Sequence, residues 1–198
     1  MAIIVDKIQK KRDIALACQE LFVKNSLKDL TVSKIASNAG VSKGSIYDYF
    51  LNKEEIVFEL LNIMLEDYDV IKKKKLQKAQ TTKERVKIFA EFFYCDETAQ
   101  LREIYKDFIS INLSSPNLHM KEFQTTCVNK YFNWMCEIIQ EGIDNKEILP
   151  ESIHLAKGLF ALGEGMFIAD STTNTIEDLQ KELNVNIETI FSLIEVKK

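Results

Sequence analysis

Apolar residues recur every three or four positions along most of the chain, which is the period of helices that bury one face. No segment shows the strict alternation of a half-buried strand, and no Asn-Gly pair marks a hairpin. The two prolines, Pro116 and Pro150, lie at breaks between periodic segments. The pattern therefore predicts an all-α protein of about nine helices.

Residues that can cap a helix mark most of the predicted starts. Asp6 is expected to cap a first helix that ends near residue 24, and Asp96 is expected to start a later one. Thr81 and Glu84 have the spacing of a capping box. Further helices are predicted at 53–76, 118–143, 152–169 and 176–196.

The segment 31–53, TVSKIASNAGVSKGSIYDYFLNK, predicts two short helices joined by a tight turn. Ile35 lies on the apolar stripe of the first helix, Gly40 permits a positive φ in the turn, and Ile46 lies on the buried side of the second helix. Thr31 and Ser42 are natural N-caps. A second helix of about seven residues is about 10 Å long and suits a major groove about 12 Å wide. We interpret the segment as a helix-turn-helix that presents its second helix to DNA.

Thr31, Ile35-Ala36, AGVSKGSIY at 39–47, Tyr49-Phe50 and KEE at 53–55 resemble the DNA-binding domain of TetR-type transcriptional regulators. The resemblance covers about a quarter of the chain. It implies an N-terminal three-helix helix-turn-helix DNA-binding domain, expected at 1–52, and a C-terminal helical ligand-binding and dimerisation domain, expected at 53–198. The implied partners are a double-stranded DNA operator, a small ligand and a second copy of the chain.

Chemistry and resemblance together indicate which residues contact DNA. Lys43 can donate to guanine O6 and N7, Ser33 and Ser45 can reach base edges or phosphate, and Gly44 lets the backbone approach. The resemblance implies phosphate contacts from Thr31, Tyr47, Tyr49 and Lys53. The expected DNA-binding set is Thr31, Ser33, Ser42, Lys43, Gly44, Ser45, Tyr47, Tyr49 and Lys53.

Charge adds little attraction for DNA to this set. Residues 1–55 contain nine Lys and Arg against seven Asp and Glu, and the rest of the chain contains 17 against 23. Asp48 repels phosphate unless it accepts a hydrogen bond from a cytosine amine or pairs with Lys43 or Lys53, and the sequence leaves these alternatives open. Lys10 or Lys11 could reach flanking phosphate, although a solvated face is favoured. The run 72–75 is expected to be the solvated end of the 53–76 helix.

The last two predicted helices can form a four-helix interface with a second copy. Gly158, Ala161, Gly163 and Gly165 permit close helix approach, and the alternative is that both helices only complete the core of one chain. The resemblance favours the dimer. Its two helix-turn-helix segments, 31–53 of each chain and here called the readers, would then lie about 34 to 36 Å apart on a near-palindromic operator. The expected interface residues are Leu155, Leu159, Leu162, Met166, Leu183, Ile187, Ile190 and Ile194.

Aromatic residues are frequent in the central helices, and most are expected to be core. The resemblance implies that some enclose a pocket for a small apolar or amphipathic ligand. Glu164 interrupts an apolar stretch and is either a pocket acid for a cationic ligand or an exposed charge at the dimer edge. The candidate pocket residues are Phe89, Phe93, Tyr105, Phe108, Asn112, Phe123, Tyr131, Trp134 and Glu164.

Other functional classes find little support. The N-terminal apolar run is too short for a signal peptide and no segment reaches the length of a membrane span, so we expect a cytoplasmic protein. The four cysteines lack CxxC spacing and are expected to be reduced and mostly buried, with a redox pair as the minor alternative. His119 and His154 lack partners at metal-binding spacing, and no nucleophile elbow, phosphate loop or metalloprotease motif occurs. We therefore expect no metal, no cofactor and no catalysis.

Two alternatives to a ligand-responsive transcriptional repressor remain at this stage. One is a helical DNA-binding protein without a ligand response. The other is a ligand-binding helical protein that has lost DNA binding, which Asp48 and the small basic excess favour.

Overall fold

The computed structural model describes residues 2–114 and 118–197, with the side chains of residues 6 onward. Within these ranges the regular structure is helical, with one isolated antiparallel bridge between Ile148 and Glu195. The all-α prediction is confirmed. The break predicted at Pro116 lies outside the described residues. None of the described helices combines the length and apolar character needed to cross a bilayer.

Ten α-helical segments follow one another along the described chain, two of them separated only at Cys18. Short 3-10 turns precede α3, follow α6, and precede α7 and α9. The helices are α1 (Ala2–Ala17), α2 (Gln19–Lys24), α3 (Val32–Asn38), α4 (Lys43–Tyr47), α5 (Lys53–Leu76), α6 (Thr82–Ala90), α7 (Ala99–Ser114), α8 (Leu118–Asp144), α9 (Ala156–Thr172) and α10 (Leu179–Ile194).

Three of the predicted helix starts are confirmed by hydrogen bonds. The Thr31 hydroxyl accepts from the Lys34 amide and the Ser42 hydroxyl accepts from the Ser45 amide. Thr81 and Glu84 form both halves of a capping box, with the Glu84 amide 3.1 Å from the Thr81 hydroxyl. Each cap satisfies an amide that lacks a partner inside its helix, so these starts are determined locally.

Three other predicted starts are wrong. Asp6 lies inside α1, which begins at Ala2, and residues 96–98 form a 3-10 turn, so that α7 begins at Ala99. The last helix begins at Leu179 instead of 176, because Asp178 Oδ1 accepts from the Lys181 amide at 2.9 Å. In the case of α10, a better cap two residues downstream of the apolar Ile176 decided the boundary.

Contacts divide the chain into two compact units. The first unit comprises residues 1–69 and 100–123, and the second comprises residues 70–99 and 124–198. Helix α5 contributes to both units, so their division differs from the expected domain boundary at 52/53, which stays a prediction. The core of the first unit includes Ile35, Ile46 and Leu60, each fully buried.

The second unit buries one face of each of its long helices. Met135 on α8, Leu159 on α9, and Leu183 and Phe191 on α10 are all at most 8% exposed. Gly163 on α9 lies against the Phe93 ring, and a Cβ at this position would overlap that ring, with only 2.9 Å to Cδ2. The predicted close helix approach at Gly163 therefore occurs inside one chain.

Candidate functional site

Helices α3 and α4 form the predicted helix-turn-helix. The turn is closed by a hydrogen bond from the Val41 amide to the Ala36 carbonyl at 3.0 Å, and Gly40 has φ of +66° as expected. Ile35 and Ile46 are fully buried, and Ala36 is 3% exposed. These residues fix the two helices on their inner sides, so the outer side of α4 is free to meet a ligand.

The outer side of α4 is small and mostly uncharged. Lys43 and Gly44 are exposed, and Tyr47 is 52% exposed. Ser45 is half-buried, and its hydroxyl is 2.9 Å from the Ser42 hydroxyl. Helix α4 has five residues where about seven were expected, so it is about 7.5 Å long and depends on its neighbours for stability.

The hydroxyls at the N-termini of α3 and α4 retain hydrogen-bonding capacity. Thr31, Ser33 and Ser42 are exposed, whereas Tyr49 is half-buried. A hydroxyl that accepts from a backbone amide, as Thr31 and Ser42 do, can still donate its own proton. These positions are therefore compatible with donation to phosphate oxygens, and their contact with DNA stays a prediction.

Lys53 occupies a different position from the one expected of a phosphate ligand. Its Nζ lies 2.7 Å from the Leu27 carbonyl, 2.8 Å from the Leu30 carbonyl and 3.4 Å from the Lys28 carbonyl. An ammonium group has three donors, so these carbonyls engage them all. Lys53 thus secures the 3-10 turn that precedes α3, and a direct phosphate contact would require it to release one of these bonds.

Replacing Lys53 with Met is expected to lower the free energy of unfolding by about 1.5 to 3 kcal/mol, the range for hydrogen bonds to a charged group. Leu27 and Leu30 are at most 2% exposed, so water cannot easily replace the lost donor. Urea denaturation measures the change. Lys28→Met, at an exposed neighbour, is the control. Equal stability of the two variants would contradict this role.

Two basic residues of α1 form ion pairs with glutamates of α5, which makes them less suited to contact flanking phosphate. Lys11 Nζ lies 3.6 Å from Glu59 and 5.2 Å from the centre of the Phe50 ring. Arg12 pairs with Glu66 at 3.0 Å. Lys10 is exposed and remains the α1 residue suited to reach phosphate.

Contacts from α1 and α7 position the helix-turn-helix from behind. Asn38 on α3 donates to the Ala17 carbonyl at 2.7 Å, and the Cys18 thiol lies 3.8 Å from the Ile35 carbonyl. Burial raises the pKa of Cys18 to about 11, so its thiol stays protonated at neutral pH. Cys18 is buried as predicted, but the other three cysteines are half-buried, so the expectation of mostly buried thiols is wrong.

Asp107 on α7 was not identified from the sequence. Its carboxylate accepts from the Leu27 amide at 2.8 Å and lies 3.5 Å from the Ser26 hydroxyl. Gln100, at the start of α7, accepts from Gln19 on α2 at 2.9 Å. Asp107 on α7 and Lys53 therefore hold the same loop before α3.

We expect Asp107→Ala to lower the free energy of unfolding by about 1 to 3 kcal/mol, because the buried Leu27 amide loses its acceptor. Asp107→Asn keeps an oxygen acceptor at the same position and should recover most of the loss. Paired urea titrations measure both variants. An asparagine variant as unstable as the alanine variant would show that the hydrogen bond is not the reason.

Asp48 forms no ion pair with Lys43 or Lys53 in the described part of the chain. It is exposed, and its backbone amide donates to the Ile46 carbonyl at the end of α4. The pairing alternative is therefore not realised in this structure. A hydrogen bond from a cytosine amine remains the alternative that reconciles this carboxylate with DNA.

The candidate pocket residues divide between the two units. Phe108 and Phe123 lie in the first unit, where both contact Phe58, a residue missed from the sequence, at centroid distances of 5.3 and 5.7 Å. Tyr105 and Asn112 are half-buried on α7 of the same unit. The other five candidates, Phe89, Phe93, Tyr131, Trp134 and Glu164, belong to the second unit.

The second unit contains a cluster of rings beside a very small cavity. Phe89 contacts Trp134 edge to face at 5.4 Å, and Tyr131 stacks with Phe160 at 6.2 Å. The cavity beside Phe89 and Phe93 has a volume of about 10 Å³, far below the few hundred Å³ of a ligand pocket. A groove of about 310 Å³ lies beside Trp134.

The lysine run 72–75 differs from its predicted solvated state. Lys73 and Lys74 are exposed, but Lys72 is 2% exposed and its ammonium lies among aromatic rings. Lys75 bonds to Glu91 at 2.8 Å and to Glu97 at 2.9 Å, and these hydrogen bonds raise its pKa. The solvated interpretation is correct for Lys73 and Lys74 and wrong for Lys72 and Lys75.

The expected dimer residues also divide. Leu159, Leu183 and Ile187 are at most 8% exposed, so they pack in the core of the single chain and are not available to a partner. The other five are exposed or half-buried: Leu155, Leu162, Met166, Ile190 and Ile194. Gly158 and Gly165 meet no other atom within 4 Å of a built Cβ, so one surface of α9 is open.

Comparison with known proteins gives a family match for the segment that contains the helix-turn-helix. Residues 14–60, which contain the helix-turn-helix and its supporting helices, match the family model described as bacterial regulatory proteins, tetR family. Over residues 14–60 the chain is thus assigned to the tetR family. The HTH-type transcriptional regulator QacR of Staphylococcus aureus is 26% identical to this chain over 182 residues, which cover 89% of this chain and 88% of that protein. The chain is thus similar to a transcriptional regulator over most of its length.

Solved structures show the same all-helical fold. FadR from Bacillus subtilis, solved in complex with stearoyl-CoA, superposes with a TM-score of 0.70 at 24% identity, over 91% of this chain and 97% of that one. A transcriptional regulator from Saccharomonospora viridis, solved in complex with choline, superposes with a TM-score of 0.77 at 16% identity, over 96% and 99%. At these identities the likeness concerns the fold.

Proposed function

We propose that the chain is a dimeric repressor that binds a near-palindromic operator in the cytoplasm and is released by a small apolar or amphipathic molecule. The main support is the outer face of α4, where Lys43, Gly44 and Tyr47 are exposed on a helix whose inner side is fixed by the buried Ile46. The inner side of this short helix serves the core, which leaves its outer side for another role. Its dimensions and polarity suit a DNA major groove.

The dimer is supported by the apolar surface of the last two helices. Ile168 on α9 is 39% exposed, and Leu193 on α10 is 74% exposed. The open glycines Gly158 and Gly165 would let a second chain approach the α9 backbone closely. Two readers on one operator would also compensate for the low positive charge of each, since phosphate contacts add across the dimer.

Ligand response is supported by two fold neighbours that were solved with different small molecules, stearoyl-CoA and choline. We propose that a ligand acts through α5, which starts at Lys53 in the unit of the reader and ends at Leu76 in the second unit. A shift of this helix would change the spacing of paired readers. A coupling free energy of about 1 to 3 kcal/mol is sufficient for a useful response.

Fragments captured by the protein from genomic DNA of its source test the proposal. The affinity for a captured fragment is expected to fall steeply as the salt concentration rises. For each phosphate contact, the logarithm of the binding constant should fall by about 0.9 when the salt concentration rises tenfold. A non-captured fragment of equal length is the control. A flat dependence on salt, or equal binding of the two fragments, would contradict DNA-specific regulation.

A further inference from the structure

Lys72 is a buried cation near the end of α5. It is 2% exposed, whereas the adjacent Lys73 and Lys74 are exposed. Removing an ammonium group from water is costly unless its surroundings compensate. The position of Lys72 therefore points to a specific environment for a positive charge.

Four aromatic rings form part of that environment. The Nζ atom lies 4.3 Å from the centre of Phe89, 4.8 Å from Tyr131, 5.5 Å from Trp134 and 6.0 Å from Phe92. We call these four residues the aromatic box. All four distances lie within the range of cation–π attraction, which is strongest where the cation is desolvated.

The rings of the aromatic box also contact one another, so the box is built into the packing. Phe89 meets Trp134 edge to face at 5.4 Å and Tyr131 at 6.1 Å, and Tyr131 stacks with Trp134 at 6.5 Å. Phe89 lies on α6 and the other two rings lie on α8. The box is thus held by two helices and closed by a side chain from α5.

We propose that the aromatic box is a binding site for an organic cation and that the Lys72 side chain is an internal occupant, which such a cation displaces. This deepens the proposed function, on which it rests, by naming the class of ligand. Ring faces are negative, so they attract a quaternary ammonium group as they attract Lys72. They offer no attraction to an anionic head group.

The aromatic box shares one residue with a groove of the second unit. Trp134 lines the box and also the groove of about 310 Å³, where Glu137 forms no ion pair with the described residues. Glu141 in the same groove is already paired with Arg85 at 2.6 Å. The groove therefore offers a cation both a carboxylate and the indole ring. Displacement of Lys72 then changes the last turns of α5.

Phenyltrimethylammonium and its uncharged isostere tert-butylbenzene are suitable probes, because they share a shape and differ in charge. Calorimetry on the DNA-free protein measures affinity, and emission of Trp134, the single tryptophan, reports on the box. Lys72→Ala is expected to bind phenyltrimethylammonium at least tenfold more tightly than the unmodified protein, because no internal cation has to leave. Lys74→Ala should bind like the unmodified protein. Tert-butylbenzene should show no comparable gain.

Three results would overturn the proposal. Lys72→Ala could fail to gain affinity for the cation, or it could gain equally for tert-butylbenzene. Octanoate could bind the unmodified protein and lose affinity in Lys72→Ala, which would make Lys72 an anion site. If Lys72→Ala does not fold, the decisive variant is Trp134→Leu, which should weaken phenyltrimethylammonium binding at least tenfold and contradicts the proposal if it does not.

These measurements contain no DNA, so they are separate from the test of the proposed function. If the protein binds the cation as expected but does not bind captured fragments, the cation site is supported and the repressor proposal is contradicted. If the protein binds the fragments with a steep salt dependence but does not bind the cation, the repressor proposal is supported and the cation site is contradicted.

Discussion

Replacing Lys43 with Ala is expected to weaken operator binding more than any other single change in the reader. Lys43 is the first residue of α4 and is exposed, and it is the one lysine within the five residues of that helix. A good pair of hydrogen bonds to a base edge is worth about 1 to 3 kcal/mol, and a dimer loses it twice. The expected loss is therefore about 2 to 6 kcal/mol, or roughly thirtyfold to more than ten-thousandfold in affinity.

The measurement is a titration of a captured genomic fragment with the variant and with Lys28→Ala, which removes an exposed lysine outside the helix-turn-helix. Circular dichroism and urea denaturation should be unchanged in both variants, since neither side chain is buried. If Lys43→Ala binds the fragment as tightly as the unmodified protein, Lys43 does not contact DNA. If Lys43→Ala and Lys28→Ala lose the same amount of affinity, the contact is a general effect of charge.

Gly163→Ala should produce the largest loss of stability among the glycine substitutions of α9. A Cβ at this position overlaps the ring of Phe93, which is 5% exposed and cannot move into solvent. Overpacking of this kind costs about 1 to 3 kcal/mol, more than the gain of about 1 kcal/mol in helix propensity. Thermal or urea unfolding measures the net change.

Gly165→Ala is the matched control on the same helix. A Cβ there meets nothing within 4 Å in the single chain, so the substitution should raise helix stability by up to about 1 kcal/mol. If α9 is part of a dimer interface, Gly165→Trp should shift the dissociation of the dimer without unfolding the chain. Unchanged association at micromolar concentrations, measured by sedimentation, would contradict the proposed interface.

The parts of the fold that depend on neighbouring residues could be predicted from the sequence. Thr31, Ser42 and the Thr81–Glu84 box cap their helices with bonds to amides three residues away, and Gly40 has the positive φ that its turn requires. The buried side of the reader follows from the helical period. These features are local, so one sequence contains the information that determines them.

Features that depend on distant partners could not be predicted in the same way. Lys53 donates to three carbonyls, and Asp107 accepts from the Leu27 amide. The residues joined by these hydrogen bonds are 23 or more positions apart in the sequence. Only the folded chain shows that these charged side chains serve the loop before α3. Charged residues on predicted helices are usually solvated, and that general expectation was misleading here.

Lys72 is the clearest example of a charged residue whose burial was not predicted, although its position in the sequence does indicate burial. It follows Tyr68 by four positions and Leu65 by seven, so it falls on the buried stripe of α5. The four consecutive lysines share a charge but lie on different faces of the helix, and an interpretation based on charge alone treats them as equivalent. A lysine on an apolar stripe close to many aromatic residues is a reason to look for a cation–π site.

Selection of bound sequences from a random duplex library tests the central claim most directly, since the operator sequence does not have to be known in advance. If the protein binds as a dimer with two readers, the selected sequences should share a near-palindromic consensus. Its half-sites should be centred about 34 to 36 Å apart, one turn of the DNA helix. The same selection with Lys43→Ala should not recover that consensus. Absence of any enriched sequence, or enrichment of a single unpaired half-site, would contradict the account.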